Sequence, residues 1–258
     1  MEISSLIGPF IAVGMIIGGM IAKGATHLIP EIMPWSHGGI PSILIVVGGT
    51  AGALLVAYPM TDYVAALKGF MLYLKKPDAN RDEIAAKIIE LAQVARKESI
   101  LALEKQKDSI SFAPLRKAVK LAVDGTDPTV LQDTLETEAH FHMEEAEVAV
   151  KFWEDIGAIA PTIGILGAVI GLMNVMGKLD QPKEIGPGIS VAFIATLYGV
   201  GIANIIGIPI GKKLKRNAIL HHYAFEMVII GIDGILSGLN PKIIEEKLKV
   251  FTNSHEEE

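Results

Sequence analysis

Apolar residues in this chain are gathered into long blocks that alternate with charged segments. Four windows, Ile3–Ala22, Gly39–Tyr58, Ile156–Met176 and Gly188–Ile210, contain no Asp, Glu, Lys or Arg. An α-helix needs roughly 20 residues to cross a bilayer, and each window meets that length. A single window of this kind would fit a buried core helix. Four of them predict four membrane spans. The first lacks a basic leader and a convincing small-residue cleavage site, so it reads as a retained span and not as a signal peptide.

The period changes between the second and third windows. In Arg81–Gln106 the apolar residues Ile84, Ile88, Leu91 and Ala95 recur at steps of four, three and four, which is one face of an amphipathic helix. Lys75 to Asn80 reads as the turn or cap region before it. Pro114 can open a further helix and Gly125 can close it. Thr126-Asp127-Pro128 has the form of a cap followed by a first-turn proline. No Gly or Pro follows until the third window, which predicts one long helix running into that span. After Ile210 the chain is basic at Lys212–Arg216 and apolar at Phe225–Leu236. That apolar stretch is too short to span, so it is expected to pack on the loop helices or on a neighbouring subunit. A turn at Gly238, Asn240 and Pro241 precedes a last helix at Lys242–Phe251, and the end is acidic at Glu256–Glu258.

The predicted fold class is therefore an all-α integral membrane protein. It has two spans in 1–58, a helical cytoplasmic domain in 59–155, two spans in 156–210 and a cytoplasmic tail in 211–258. Orientation follows from charge. Only three of the 23 basic residues, Lys23, Lys178 and Lys183, fall in 23–38 and 177–187. The positive-inside rule puts those segments outside, and both termini with the central loop in the cytoplasm.

Composition fits this picture. The chain has 258 residues, 20% charged, yet a mean hydropathy of +0.43. The absence of Cys excludes disulfides, thiolate metal sites and cysteine nucleophiles. A net charge of −6 argues against nucleic acid as a partner. No Walker A, G-x-S-x-G or H-E-x-x-H pattern occurs, so no enzyme chemistry is indicated and no cofactor is expected. His140 and His142 point about 200° apart on a helix and cannot share a metal. They read as surface residues, as do His221 and His222.

Small residues recur four apart at Gly14/Gly18, Gly48/Gly52, Gly167/Gly171 and Gly207/Gly211, a spacing that lets helices approach closely in lipid. Ion carriers usually place a charged side chain inside a span, and none lies here. Either the protein is passive or a partner supplies a carboxylate. The later spans do hold Thr162, Asn174, Ser190, Thr196, Tyr198 and Asn204, although Ser and Thr hydroxyls bond their own helix backbone, which is the simpler reading of any one of these residues alone. Pro161 and Pro209 fall in the inner part of the bilayer, roughly 9 Å past Asp155 and 4–5 Å before Lys212. Each removes a backbone donor, and together they could form a hinge.

Three segments carry a family resemblance. The run Ala160-Pro161-Thr162-Ile163-Gly164-Ile165-Leu166-Gly167-Ala168-Val169-Ile170-Gly171-Leu172 resembles the third span of the MotA and PomA flagellar stator proteins. Ile185-Gly186-Pro187-Gly188 through Ala195-Thr196-Leu197-Tyr198-Gly199 resembles their fourth. Ala95 to Glu104 is similar to their charged cytoplasmic motif. The resemblance implies a bacterial inner-membrane ring of five copies around two single-span MotB-type subunits. The partner would bring the missing carboxylate, and inward ion flow would turn the ring against the rotor protein FliG. Arg96 and Glu104 match the rotor-facing charges. Eight residues on a helix set them about 12 Å and 80° apart, so both can sit on one broad exposed face. Pro161 and Pro209 match the family prolines, and Thr196 a shared threonine. Sodium-type members have Thr where this chain has Ala168, which favours protons, although the Thr196 oxygen leaves sodium open. The rival expectations are an energiser of the ExbB or TolQ type, which has one span before its loop, and a stand-alone channel or transporter.

Overall fold

The computed structural model describes residues 3–36, 38–73 and 80–252. The turn anticipated at 75–79, His37 and the acidic end at 256–258 lie outside them. Among the described residues the regular structure is entirely helical. Helix α1 is Ile3–Ala22, α2 is Gly39–Ala57, α3 is Met60–Tyr73 and α4 is Arg81–Lys97. A 3₁₀ segment, Ile100–Ser109, leads to α5, Ala113–Val123. Then come α6, Pro128–Met176, α7, Pro182–Leu236, and α8, Pro241–Lys249. By length and composition α2, α6 and α7 can cross a membrane, and α1 contributes a shorter apolar stretch, Ile7–Ala22.

The chain forms two compact units, Met1–Lys76 with Glu147–Lys215, and Pro77–Ala146 with Arg216–Glu258. Helices α6 and α7 each contribute to both.

The second unit is built on apolar faces. Ile84, Ile88 and Leu91 of α4 are buried, and Ala95 packs beside them. They meet Leu115, Ala118 and Val119 of α5, Leu131 and Leu135 of α6, and Phe225, Val228 and Ile232 of α7. The apolar stretch of the tail therefore packs on the loop helices. Fully burying side chains of this size stabilises by about 1.5–3 kcal/mol each. Gly231 is needed there, because a Cβ on it would come within 2.4 Å of Ile88 Cγ2.

The punctuation residues act as anticipated. Pro114 lies in the first turn of α5, and Gly125 follows its end with φ +74°. Asp127 caps α6: its carboxylate accepts from the Thr129 backbone N–H at 2.9 Å and from the Thr129 hydroxyl at 2.5 Å. These bonds hold the Asp127 carboxyl below the usual range. Helix α6 then runs unbroken for 49 residues, through Pro161. Asn240 caps α8 by accepting from the Lys242 N–H.

In the first unit the hydrophobic windows expose most of their surface, with 22–33% of each apolar window buried. Their contacts concentrate on one seam and one aromatic cluster. The Phe152 ring packs edge-on against Tyr58 and Tyr63. Tyr58 donates to Asp155 at 2.6 Å, and the Trp153 indole donates to the Ala66 carbonyl at 3.0 Å.

Candidate functional site: the small-residue seam between two apolar helices

The seam joins α6 to α7. A Cβ on Gly171 would touch Ala192, one on Gly167 would touch Ala195, and one on Gly164 would lie 2.9 Å from the Ala195 carbonyl oxygen. Gly199 faces Ala160 and Pro161, and Gly207 faces Gly157. Gly211 faces Glu154, and Gly188 faces Val175. Rising residue numbers on one helix meet falling numbers on the other, so the two run antiparallel. Residues 188, 192, 195, 199, 203, 207 and 211 recur at three or four, and each is buried. The backbones approach closely because no side chain larger than a methyl lies between them over most of this line. Of the four sequence pairs, Gly167/Gly171 and Gly207/Gly211 are used within the chain. Gly14, Gly18, Gly48 and Gly52 have nothing within 4 Å.

Pro161 and Thr196 flank the level where Gly164 and Gly199 touch, Pro161 against Gly199 and Thr196 against Gly164. Pro161 withholds the N–H that the Gly157 carbonyl would otherwise receive. Pro209 follows a π-helical segment, Ile202–Gly207. Its missing N–H removes the regular partner of the Ile205 carbonyl, which suits a locally widened turn. Because Gly207 faces Gly157 and Gly211 faces Glu154, Pro209 lies nearer the Asp155 end than Pro161 by roughly 8–9 Å. Ala168 lies one turn beyond Gly164, near the level of Thr196, and contributes only a methyl.

Five of the hydroxyl and amide groups already have partners within the chain. Thr162 is exposed, away from the seam, and donates to the Ile159 carbonyl at 2.7 Å. Thr196 donates to Ala192 at 3.3 Å, and the Asn204 amide to Val200 at 2.9 Å. Tyr198 donates to the Ile32 carbonyl at 2.7 Å, and Ser190 to the Glu31 carboxylate at 3.3 Å. The hydroxyl of buried Ser42 is shared between the Gly38 carbonyl at 2.7 Å and the Val191 carbonyl at 3.1 Å, the second bringing α2 to α7. These groups therefore do not require a neighbouring chain to satisfy them. Residues 42, 31 and 32 were missed as contributors because no motif marks them.

The charges of the second unit are arranged differently from a single helix face. Helix α4 ends at Lys97, Ser99 is extended with φ 168° and ψ 168°, and Glu104 lies on the following 3₁₀ segment. The 12 Å and 80° relation between Arg96 and Glu104 therefore does not hold. The break lets Leu103 enter the core, where it is fully buried. Arg96 is exposed and makes no ion pair among the described residues. Glu104 is paired with Lys107, and that carboxylate raises the Lys107 ammonium above its ordinary value.

The histidines pair with carboxylates one turn away: His140 with Glu144 at 3.6 Å, His142 with Glu145 at 3.8 Å and His222 with Glu226 at 3.4 Å. No cluster able to hold a metal occurs among the described residues.

Known proteins share this architecture. Residues 103–227 match the model of the MotA/TolQ/ExbB proton channel family. Motility protein A of Cereibacter sphaeroides is 35% identical over 96% of this chain and 94% of its own length. The solved C. jejuni MotAB structure superposes with a TM-score of 0.90 at 31% identity, covering 98% of this chain and 96% of that one. The flagellar MotAB stator complex from Bacillus subtilis gives 0.85 at 29% identity over 99% and 96%. With full-length likeness in both sequence and fold, this chain belongs to the motility protein A family.

Proposed function

We propose that the chain is the ring subunit of a flagellar stator, working with a single-span MotB-type partner to turn inward ion flow into torque on the rotor. The observation that carries this reading is the correspondence to MotAB over nearly the whole of both chains. Its charge pattern supports the division of labour. The seam helices carry no Asp, Glu, Lys or Arg in their apolar windows, so the carboxylate that binds the ion comes from the partner's span. Five copies surround two partner subunits, with α6 and α7 facing the centre. Protons are the favoured ion, because Ala168 offers no oxygen and the Thr196 hydroxyl is directed to its own helix. Pro161 and Pro209 give the two helices weak points through which the ring responds to the ion. Arg96 and Glu104 meet FliG.

The membrane placement belongs to the same proposal. The chain has four spans, counting α1, lies in the inner membrane, and keeps both termini and residues 59–155 in the cytoplasm. In intact cells an impermeant thiol reagent should modify Trp35→Cys and spare Asn80→Cys. Labelling at 80 overturns this topology. For function, the chain and a MotB-type partner should together restore swimming to a strain lacking its stators, while either alone should not. Robust ion flux through the chain alone would favour a stand-alone channel and sink the stator reading.

A further inference from the structure

Buried polar groups of a folded chain are nearly always hydrogen-bonded. Among the described residues two buried side-chain atoms have no partner, His222 Nδ1 and Thr50 Oγ1. The other ring nitrogen of His222 faces Glu226. Thr50 has only its hydroxyl, and it lies inside the apolar window of α2 at 6% exposure. The other helical hydroxyls of this chain show what is missing. Ser42, Thr134 and Thr196 donate to the carbonyls four residues back, those of Gly38, Val130 and Ala192, at 2.7, 2.7 and 3.3 Å. The same bond from Thr50 would go to Val46. Residues Leu44–Gly48 form a π turn instead, and the Gly49 N–H is shared between the Ile45 and Val46 carbonyls. A π turn spans five residues per bond, which carries the Val46 carbonyl out from under position 50.

The wide turn has a use. Before it, Ser42 reaches the Val191 carbonyl of α7. After it, Gly49 meets Ile163 of α6. A regular helix would change the register between these two contacts by one residue, about 100°, and swing Ser42 away from α7. The partner that Thr50 lacks does not come from outside, because its own chain encloses the oxygen and neither lipid nor a neighbouring copy reaches it. Water meets the requirement. It accepts from the Thr50 hydroxyl and donates to a carbonyl of the π turn, each of which has two lone pairs. Water inserted in a helical ladder is a general companion of such distortions, and it satisfies backbone groups freed within a membrane helix. We propose that Thr50 and the Leu44–Gly48 turn hold one buried water molecule, which completes the turn and keeps α2 in register with α6 and α7. Because Gly49 meets Ile163, two residues past Pro161, the water lies close to the level of that proline. The site stands independently of the stator reading.

Thr50→Val keeps the shape of the side chain and removes the hydroxyl. If the oxygen holds a water, the variant loses that bond, and the unfolding temperature of the full chain in detergent should fall by about 2–4 °C. If the oxygen is bare, the variant is relieved of a desolvation cost and its unfolding temperature rises, which overturns the proposal. Radiolytic hydroxyl-radical labelling in heavy-oxygen water reads the water directly, since side chains beside a bound water take up its oxygen. Val46 is fully buried and serves as the reporter. Wild type and Thr50→Ser should label at Val46, and Thr50→Val should fall to background. Wild type with no label at Val46 or Thr50 overturns the site, as does equal labelling of Val46 in wild type and Thr50→Val. The wild-type measurement decides the matter even if Thr50→Val fails to fold.

Discussion

Gly199 lies so close to Ala160 that a Cβ on it would come within 2.5 Å of the Ala160 carbonyl oxygen. The obstructing atom is backbone, so neither helix can yield by a side-chain rotation. Gly199→Val should destabilise the chain by about 1–3 kcal/mol, the usual cost of overpacking. Thermal unfolding in detergent measures this. Gly18→Ala is the matched control, since nothing lies within 4 Å of that position. Equal destabilisation by the two would mean that the seam does not hold α6 to α7.

Arg96 and Glu104 should differ in their effect on swimming. Exposed charge pairs contribute only about 0–1 kcal/mol, so neutralising either residue should weaken swimming and not abolish it. Because Glu104 is already paired with Lys107, Glu104→Gln should cost less than Arg96→Gln. Lys107→Gln leaves Glu104 unpaired and should alter torque by itself. Arg96→Glu should impair motility while assembly and ion flow persist, and a charge reversal on FliG should restore part of the loss. Swimming speed with ion conductance recorded in parallel separates these outcomes.

Pro161→Ala restores a backbone donor within the seam. The expected result is a ring that still assembles with its partner but turns poorly at any load. Charge reversals on FliG should leave it unrepaired. Rescue by such a reversal would show that the seam and the rotor contact are not separate parts of the mechanism.

Asp127 makes stability depend on pH in a defined direction. Its carboxyl is depressed below 3.8 by the bonds from Thr129. A depressed carboxylate contributes stability that is present above its unfolded value and lost as pH falls through its folded one. The cap should therefore weaken as pH falls from about 4. Asp127→Asn keeps an acceptor but no charge, so its unfolding temperature should fall less steeply with acid. Parallel curves for the two proteins would remove Asp127 from the acid response.

Much of the fold was legible where residue chemistry leaves few choices. Helix α1 follows the first apolar window, the Asp127-Pro128 cap opens α6 at its predicted start, and Phe225 to Leu236 finds the loop helices. The break after Lys97 was not legible, because Glu98-Ser99 contains neither Gly nor Pro. It arises from burying Leu103, a tertiary demand that local spacing does not carry. The four small-residue pairs were indistinguishable for a similar reason. Spacing says where a helix can be approached, but not which helix arrives. The π-helical segments at Leu44–Gly48 and Ile202–Gly207 likewise have no local mark of their own. Pro161 and Thr196 were legible as a proline and a hydroxyl inside apolar windows, but their places on the seam, against Gly199 and Gly164 respectively, were not.

Helix α6 is continuous from Pro128 to Met176, and 49 residues at 1.5 Å each make a rod about 74 Å long. Pro161 and the Asp127 cap are joined by this helix with no loop between them. The missing amide of Pro161 therefore falls inside one unbroken helix and not at a joint between two, so any loosening it brings is a property of that helix itself.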